Sequence, residues 1–274
     1  MTKKYFFCRK MSHYYLELSV KTVVEKSSTI WYTSKVKFCT DNKFGKRRCY
    51  MIKKIEILGM NLDNYTVREA MLQVEVYLNN ATMNTIENIS MEMLVKAQND
   101  EVLKECIEQL NLAIINEKEI LKAAGVVSAQ RMRETAENEF AREFMKRIAR
   151  NNKTVYLLGN TSTQIQKLQE FLTEEYPKLK ISGLYALEDC TGDYDNIINE
   201  INIAEPDVIF SVLPTPQQEY FLKDNVGKFN AKIWYGLGQN YARKRGMSEV
   251  AEFAKKMIHK GMLHSMLSNY NKDE

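Results

Sequence analysis

Within Ser211–Leu222, SVLPTPQQEYFL, two of the chain's four prolines stand two residues apart, and two amides and an acid follow. Proline fixes the backbone there and holds Gln218 and Glu219 at the first turn of a helix, where an amide and a carboxylate can meet a ligand. The same residues also suit a stiff strand-to-helix connection, with Glu219 complementing the helix dipole. Two more loops are small and amide-rich: Gly159-Asn160-Thr161-Ser162-Thr163 and Gly236-Leu237-Gly238-Gln239-Asn240. Such loops permit close backbone approach and offer N–H groups to a phosphate at a helix N-terminus. All three follow apolar strands, and an open parallel sheet binds ligands beyond the carboxyl ends of its strands.

Other chemistries are poorly supplied. The GxG at Gly236–Gly238 has Tyr241 in the third glycine position, no strand-end acid follows, and a P-loop is absent. Asp193-Tyr194-Asp195 has the DxD spacing that can hold a divalent cation through oxygens. It also precedes a helical run, where Asp is a common N-cap, and two acids are sparse for Mg²⁺. No metal and no cofactor are therefore expected. His13, His259 and His264 are the only histidines, which disfavours Ser-His-Asp, Cys-His and His-zinc sites across the body of the chain. Five cysteines without CxxC spacing make no disulfide framework.

The elements that position these loops read as α/β. Ile55–Leu58 is a short strand. Thr66-x-x-Glu69 is a capping box opening a helix with Val67, Ala70, Met71, Val74 and Leu78 at helical spacing. Helices over Met91–Ala97 and Val102–Leu110 precede a strand at Leu112–Ile115, and two helical stretches follow, with Phe140, Phe144 and Ile148 on one face of the second. Beyond Asn151 the alternation is regular: strands at Val155–Leu158, Leu179–Leu184, Val208–Leu213 and Ile233–Tyr235 are separated by helices. Connections of that size demand parallel pairing with right-handed crossovers. The expected fold is a Rossmann-like parallel sheet flanked by helices, with a helical C-terminal appendage and a basic N-terminal extension.

From Ile55 to about Gly246 the chain resembles the TagA/WecG/CpsF family of glycosyltransferases. The resemblance rests on ILGMNLDNYTVREA, EMLVKAQND, VYLLGN, YPKLKISG, PDVIFSVLPTPQQE and AKIWYGLG, in that order and spacing. Its most specific element is Pro-x-Gln-Glu, Pro216 to Glu219. The resemblance implies transfer of N-acetylmannosamine or a related sugar from a UDP donor to a polyprenyl-diphosphate-linked sugar in cell-wall or capsule polysaccharide synthesis. It also implies a substrate surface from Asn88, Ser90, Glu92, Thr135, Gly159, Asn160, Tyr185, Pro216, Gln218, Glu219, Gly236 and Gly238. In such a site Gln218 and backbone N–H groups would stabilise the leaving diphosphate.

The chain departs from the family at three acids. The family's proposed general base is an Asp; Asn116 stands there, and an amide has no useful basicity near neutral pH. The family's Arg-Val-x-Gly-x-Asp pattern maps onto Arg133–Asn138, with Asn138 in the acid's place, and a third Asp falls at Ala242. A slip of one or two positions would make Glu117 or Glu119 the base. Two readings stay open: an active glycosyltransferase, or an impaired homologue that binds a sugar nucleotide or a partner.

Charge bears on location. Residues 1–50 hold 12 Lys/Arg against 3 Asp/Glu, whereas the whole chain is only +4, so the remainder is net negative. Basic residues with interleaved aromatics can bind nucleic acid. Because the excess is not shared by the rest, no nucleic-acid partner is expected. Residues 1–50 are read as a basic, disordered extension, 51–246 as the α/β domain and 247–274 as the appendage. No apolar run reaches the ~20 residues of a membrane span, so a cytoplasmic protein, peripheral at the inner face of the membrane, is expected. Arg243, Lys244, Arg245, Lys255, Lys256 and Lys260 would meet anionic lipid there; the competing reading is a terminal helix packed on the core. Whether the chain forms a homo-oligomer is open.

Overall fold

The computed structural model describes residues 14–19, 35–41, 47–51, 54–191, 194–238 and 249–273. Its contacts divide the chain into two units, Met1–Lys54 and Ile55–Glu274. Where the sequence suggested an extension, the first unit carries three strands, β1 (Tyr14–Ser19), β2 (Lys35–Asp41) and β3 (Arg47–Met51), paired antiparallel in the order β1-β2-β3.

The second unit opens with β4 (Lys54–Ile57) and β5 (Met60–Asp63), a two-stranded sheet. The chain turns between them through Leu58 and Gly59, both at positive φ. Helix α1 (Val67–Tyr77) starts at the expected capping box: Thr66 accepts from the Glu69 amide, and the Glu69 side chain reaches back to the Thr66 amide. A strand that the hydrophobic pattern did not announce follows, β6 (Asn84–Ile89), every residue of it buried. Then come α2 (Met91–Ala97), α3 (Glu101–Glu108) and β7 (Leu112–Ile115). The two helical stretches expected next are three helices: α4 (Lys118–Ala123), α5 (Ala129–Ala136) and α6 (Glu139–Arg150). The remainder alternates as β8 (Thr154–Gly159), α7 (Ser162–Glu175), β9 (Lys180–Ala186), α8 (Asp195–Ile203), β10 (Val208–Ser211), α9 (Gln217–Asn225) and β11 (Ile233–Gly236). One helix, α10 (Glu249–Asp273), forms the tail.

The six strands β6 to β11 form one sheet in the order β7-β6-β11-β10-β8-β9, every pair parallel. Strands buried on both faces read as continuous apolar runs, as VYLLG and VIFS do. Helix α6 lays Phe144 against Tyr235 at 4.9 Å and against Phe210 at 6.0 Å. On the opposite face, α9 lays Phe221 against Trp234 at 5.9 Å. Each such ring contributes about 2 kcal/mol by leaving water. The chain leaves β8 towards β9 and leaves β10 in the other direction, towards β11. That divergence opens a crevice between the two loops, the position where α/β sheets bind ligands.

Candidate functional site

The C-terminal edge of the sheet carries the three loops that the sequence singled out, laced together by backbone bonds. The Val212 amide donates to the Leu158 carbonyl at 2.9 Å, and the Leu237 amide to the Ser211 carbonyl at 2.8 Å. At the β8 loop, Gly159 is required by packing: a Cβ there would lie 2.8 Å from Ile165 Cγ1 and 3.2 Å from Val212 Cγ2. Thr161 and Gln164 then form a capping box at the start of α7. The anion station expected at this helix already holds a carboxylate of the chain itself. The Ser162 amide donates to Glu188 Oε1 at 2.6 Å, and Ser162 Oγ to Asp189 Oδ2 at 3.2 Å. The helix N-terminus thus meets an anionic group, as its dipole favours. Asn160 turns its amide to Gln164 Oε1 and accepts from the Glu188 amide, while Tyr185 ends β9 next to this loop, paired in register with Leu158.

The β10 loop is built in two layers. Pro214 to Gln217 are half-buried at its surface, with a cis bond between Thr215 and Pro216. Beneath them Gln218 is 3% and Glu219 2% exposed. Gln218 turns inward against Gly236, whose missing Cβ makes the room: a methyl there would lie 2.5 Å from Gln218 Nε2 and 2.9 Å from Glu87 Cγ. The amide therefore supports the loop from below. Glu219 Oε2 accepts from Thr215 Oγ1 at 2.8 Å, and Lys96 Nζ donates to the Thr215 carbonyl at 2.8 Å. Lys96 also pairs with Glu92 at 3.0 Å, so the first turns of α2 and α9 are joined through this loop. Ser90 caps α2, accepting from the Met93 amide at 3.2 Å.

Strand alternation places Asn88 on the other face of the sheet from Glu87 and Gln218. On that face a cleft of about 370 Å³ lies between the end of β7, the start of α1, and α5. Asn116, Thr135 and Asn138 meet there, so the structure brings together positions drawn from two separate stretches of the sequence. The Asn116 Oδ1 atom is buried without a hydrogen-bond partner. Thr135 donates to the Ile115 carbonyl at 3.3 Å. Glu117 is placed otherwise: it is buried at the start of α4, its Oε1 accepts from the Met91 amide at 3.3 Å, and it is absent from the cleft lining.

Two charged residues of the cleft escaped the sequence reading. Arg131 Nη1 pairs with Glu134 Oε2 at 2.9 Å, with both side chains nearly buried. Arg131 Nε donates to Asn64 Oδ1 at 3.1 Å, and Glu134 Oε2 also accepts from the Val67 amide at 3.1 Å. The buried arginine is Arg131, not the Arg133 of the motif alignment, which is exposed. Asp63, also in the lining, accepts from the Ala113 amide at 2.9 Å. Burial, with the Asp63 charge adding to it, holds the Tyr65 hydroxyl far above its usual range, so it remains a proton donor.

Asp193 and Ala242 lie outside the described residues. Asp195 opens α8 at the surface and accepts from Lys228 Nζ at 2.9 Å. Among the described residues no three His, Cys, Asp or Glu side chains cluster as metal ligands. No helix among them is long and apolar enough to cross a membrane. Helix α10 buries Leu263, with Met266, Leu267 and Tyr270 packed alongside, and leaves Met257 51%, Ile258 61% and Met262 45% exposed. Met257 and Met262 thus lie off the packed face of the helix.

Comparison with known proteins agrees with this geometry. The chain is 24% identical over 190 residues to the N-acetylglucosaminyldiphosphoundecaprenol N-acetyl-beta-D-mannosaminyltransferase of Staphylococcus aureus strain NCTC 8325, covering 68% of this chain and 73% of the relative. It matches the protein of the same name in strain COL at 24% with the same coverage, and that in strain MRSA252 at 25% over 190 residues. The model of the glycosyl transferase WecG/TagA/CpsF family matches residues 55–242, most of the unit that carries the sheet and both sites. The chain belongs to the WecG/TagA/CpsF family of glycosyl transferases.

Proposed function

We propose that this protein transfers an N-acetylmannosamine-like sugar from a UDP donor to a polyprenyl-diphosphate-linked sugar acceptor. The observation that carries the reading is the divergence of the β8 and β10 connections, together with a cleft at the β7 end of the same sheet edge that holds Asn116, Thr135 and Asn138. The donor's diphosphate would lie along Pro214–Gln217, Gly238 and the start of α7, where backbone N–H groups take up the charge that develops as UDP departs. The acceptor hydroxyl would enter from the cleft and attack directly, so that one displacement forms the new bond, breaks the sugar–phosphate bond and leaves UDP as the second product. The names of the staphylococcal relatives supply the acceptor class and the sugar.

Deprotonation of the acceptor is the step least well served. Asn116 offers an amide, and the Glu117 carboxylate is committed to the Met91 amide. The reading therefore includes slow turnover. Its test is incubation of the full chain with a synthetic polyprenyl-diphosphate-N-acetylglucosamine and a panel of UDP-N-acetylhexosamines, followed by mass analysis of the lipid. A product heavier by one N-acetylhexosamine supports the reading; no lipid product with any donor, under conditions where a staphylococcal relative reacts, refutes it.

A further inference from the structure

Beneath the β10 loop lies a pair of carboxyl groups that the transfer reaction does not use. Glu87, in the middle of β6, is 0% exposed, and neither of its oxygens has a well-aligned hydrogen bond. Glu219, in the first turn of α9, is 2% exposed; its Oε2 accepts from Thr215, and its Oε1 has no partner. Both line a pocket between α3 and α9. Two ionised carboxylates cannot share such a site, because removal from water and mutual repulsion both oppose it. Burial first, and the Glu219 charge second, hold Glu87 well above the usual carboxylate range, against a smaller pull from the Gln218 amide beside it. Burial likewise raises Glu219, to about 7.

We propose that Glu87 is a positioning residue: it stays protonated and donates that proton to Glu219, clamping the first turn of α9 and the Thr215–Pro216 loop onto β6. Glu219 then passes the constraint on through the Thr215 hydroxyl, while Lys96 holds the Thr215 carbonyl from the other side. When pH rises and the shared proton leaves, two buried anions face each other and the clamp loosens. The proposal concerns the loop alone and stands whether or not the donor is a UDP-sugar.

The sign of the pH effect follows from linkage. A carboxyl raised in the folded state binds its proton more tightly there than in the unfolded chain. Its stabilisation is therefore full below the unfolded value and is lost as pH rises through about 7. The other groups facing the pair are Lys96 and Asp100, Cys106 and Glu105 of α3, and Tyr220 and Lys223 of α9. Burial pushes the Cys106 thiol up to about 11, and its bond to Asp100 pushes the Tyr220 hydroxyl up to about 12, both outside this window.

The experiment is thermal unfolding of the full chain at pH 5.5 to 8.5 for wild type, Glu87→Gln and Glu219→Gln, with carboxyl ¹³C titration of Glu-labelled wild type. The wild-type Tm should fall as pH rises through about 7. Glu87→Gln keeps a neutral donor to Glu219 and should make the Tm profile shallower, more stable than wild type at pH 8.5. One Glu carboxyl of the wild type should titrate near 7, which decides the matter even if neither variant folds. Titration of every Glu carboxyl in the ordinary range, or an unchanged pH profile in a folded Glu87→Gln variant, overturns the proposal.

Discussion

The Tyr235 hydroxyl donates to Asn88 Oδ1 at 3.0 Å, and the Asn88 amide donates in turn to the Leu237 carbonyl, also at 3.0 Å. One buried side chain thereby ties the end of β6 to the loop that leaves β11. Asn88 was singled out as a substrate contact, yet both ends of its amide are engaged in holding the sheet edge. Asn88→Leu should strip partners from a buried hydroxyl and carbonyl and cost about 2 kcal/mol. Urea unfolding measures this; a loss near zero would mean that the network is slack.

Gly236 joins the same edge to the loop beneath it. Because a Cβ would fall 2.5 Å from Gln218 Nε2, Gly236→Ala forces Gln218 and Glu87 apart. The expected loss is about 2 kcal/mol by overpacking. Gln218→Ala in the same background should relieve most of it, so a double-mutant cycle reads the contact directly; additive losses would place the strain elsewhere.

The parts of the fold legible in sequence were those written in apolar periodicity. VYLLG, VIFS and the Phe140–Phe144–Ile148 stripe could belong to little else, and the Thr66–Glu69 capping box fixed the start of α1. Strand β6 was hidden because Asn84, Thr85, Glu87 and Asn88 interrupt any such pattern. Each of the three neutral residues has a private partner: Asn80 and Thr82 for Asn84, Asn111 for Thr85, Tyr235 for Asn88. The partners of Thr85 and Asn88 are 26 and 147 residues away in the chain, and no local window contains them. That Arg131 faces the cleft was hidden for a related reason. Arg131 and Arg133 share one helix, and only the position of Asn64 and Glu134 in space says which of them faces inward.

The cleft makes a sharp prediction about rate. Asn116 Oδ1 lacks a partner in a cleft of about 370 Å³, so a carboxylate would fit its place and supply the missing basicity. Asn116→Asp should raise turnover by about a hundredfold, read as UDP release under saturating substrates. Brisk wild-type turnover that Glu119→Gln abolishes would instead assign the base to α4.

Helix α10 offers Met257, Ile258 and Met262 to solvent beside Lys260. If this face meets the membrane that holds the acceptor, vesicles with anionic lipid should sediment the protein and neutral vesicles should not. Each basic residue near the surface adds ~1 kcal/mol, so binding should fall with salt. Replacing the three apolar residues by Ser should abolish sedimentation while Tm stays the same; unchanged sedimentation would move the contact to the basic first 50 residues.

The central claim is that the crevice between the β8 and β10 loops holds a uridine diphosphate. Isothermal titration of the intact protein with UDP and UDP-N-acetylhexosamines tests it without requiring turnover, and so separates binding from the missing base. The account predicts one site per chain, strengthened in Glu188→Gln, where that carboxylate no longer competes with the diphosphate at the α7 N-terminus. Absence of heat for every uridine nucleotide, with wild type and Glu188→Gln alike, would contradict it.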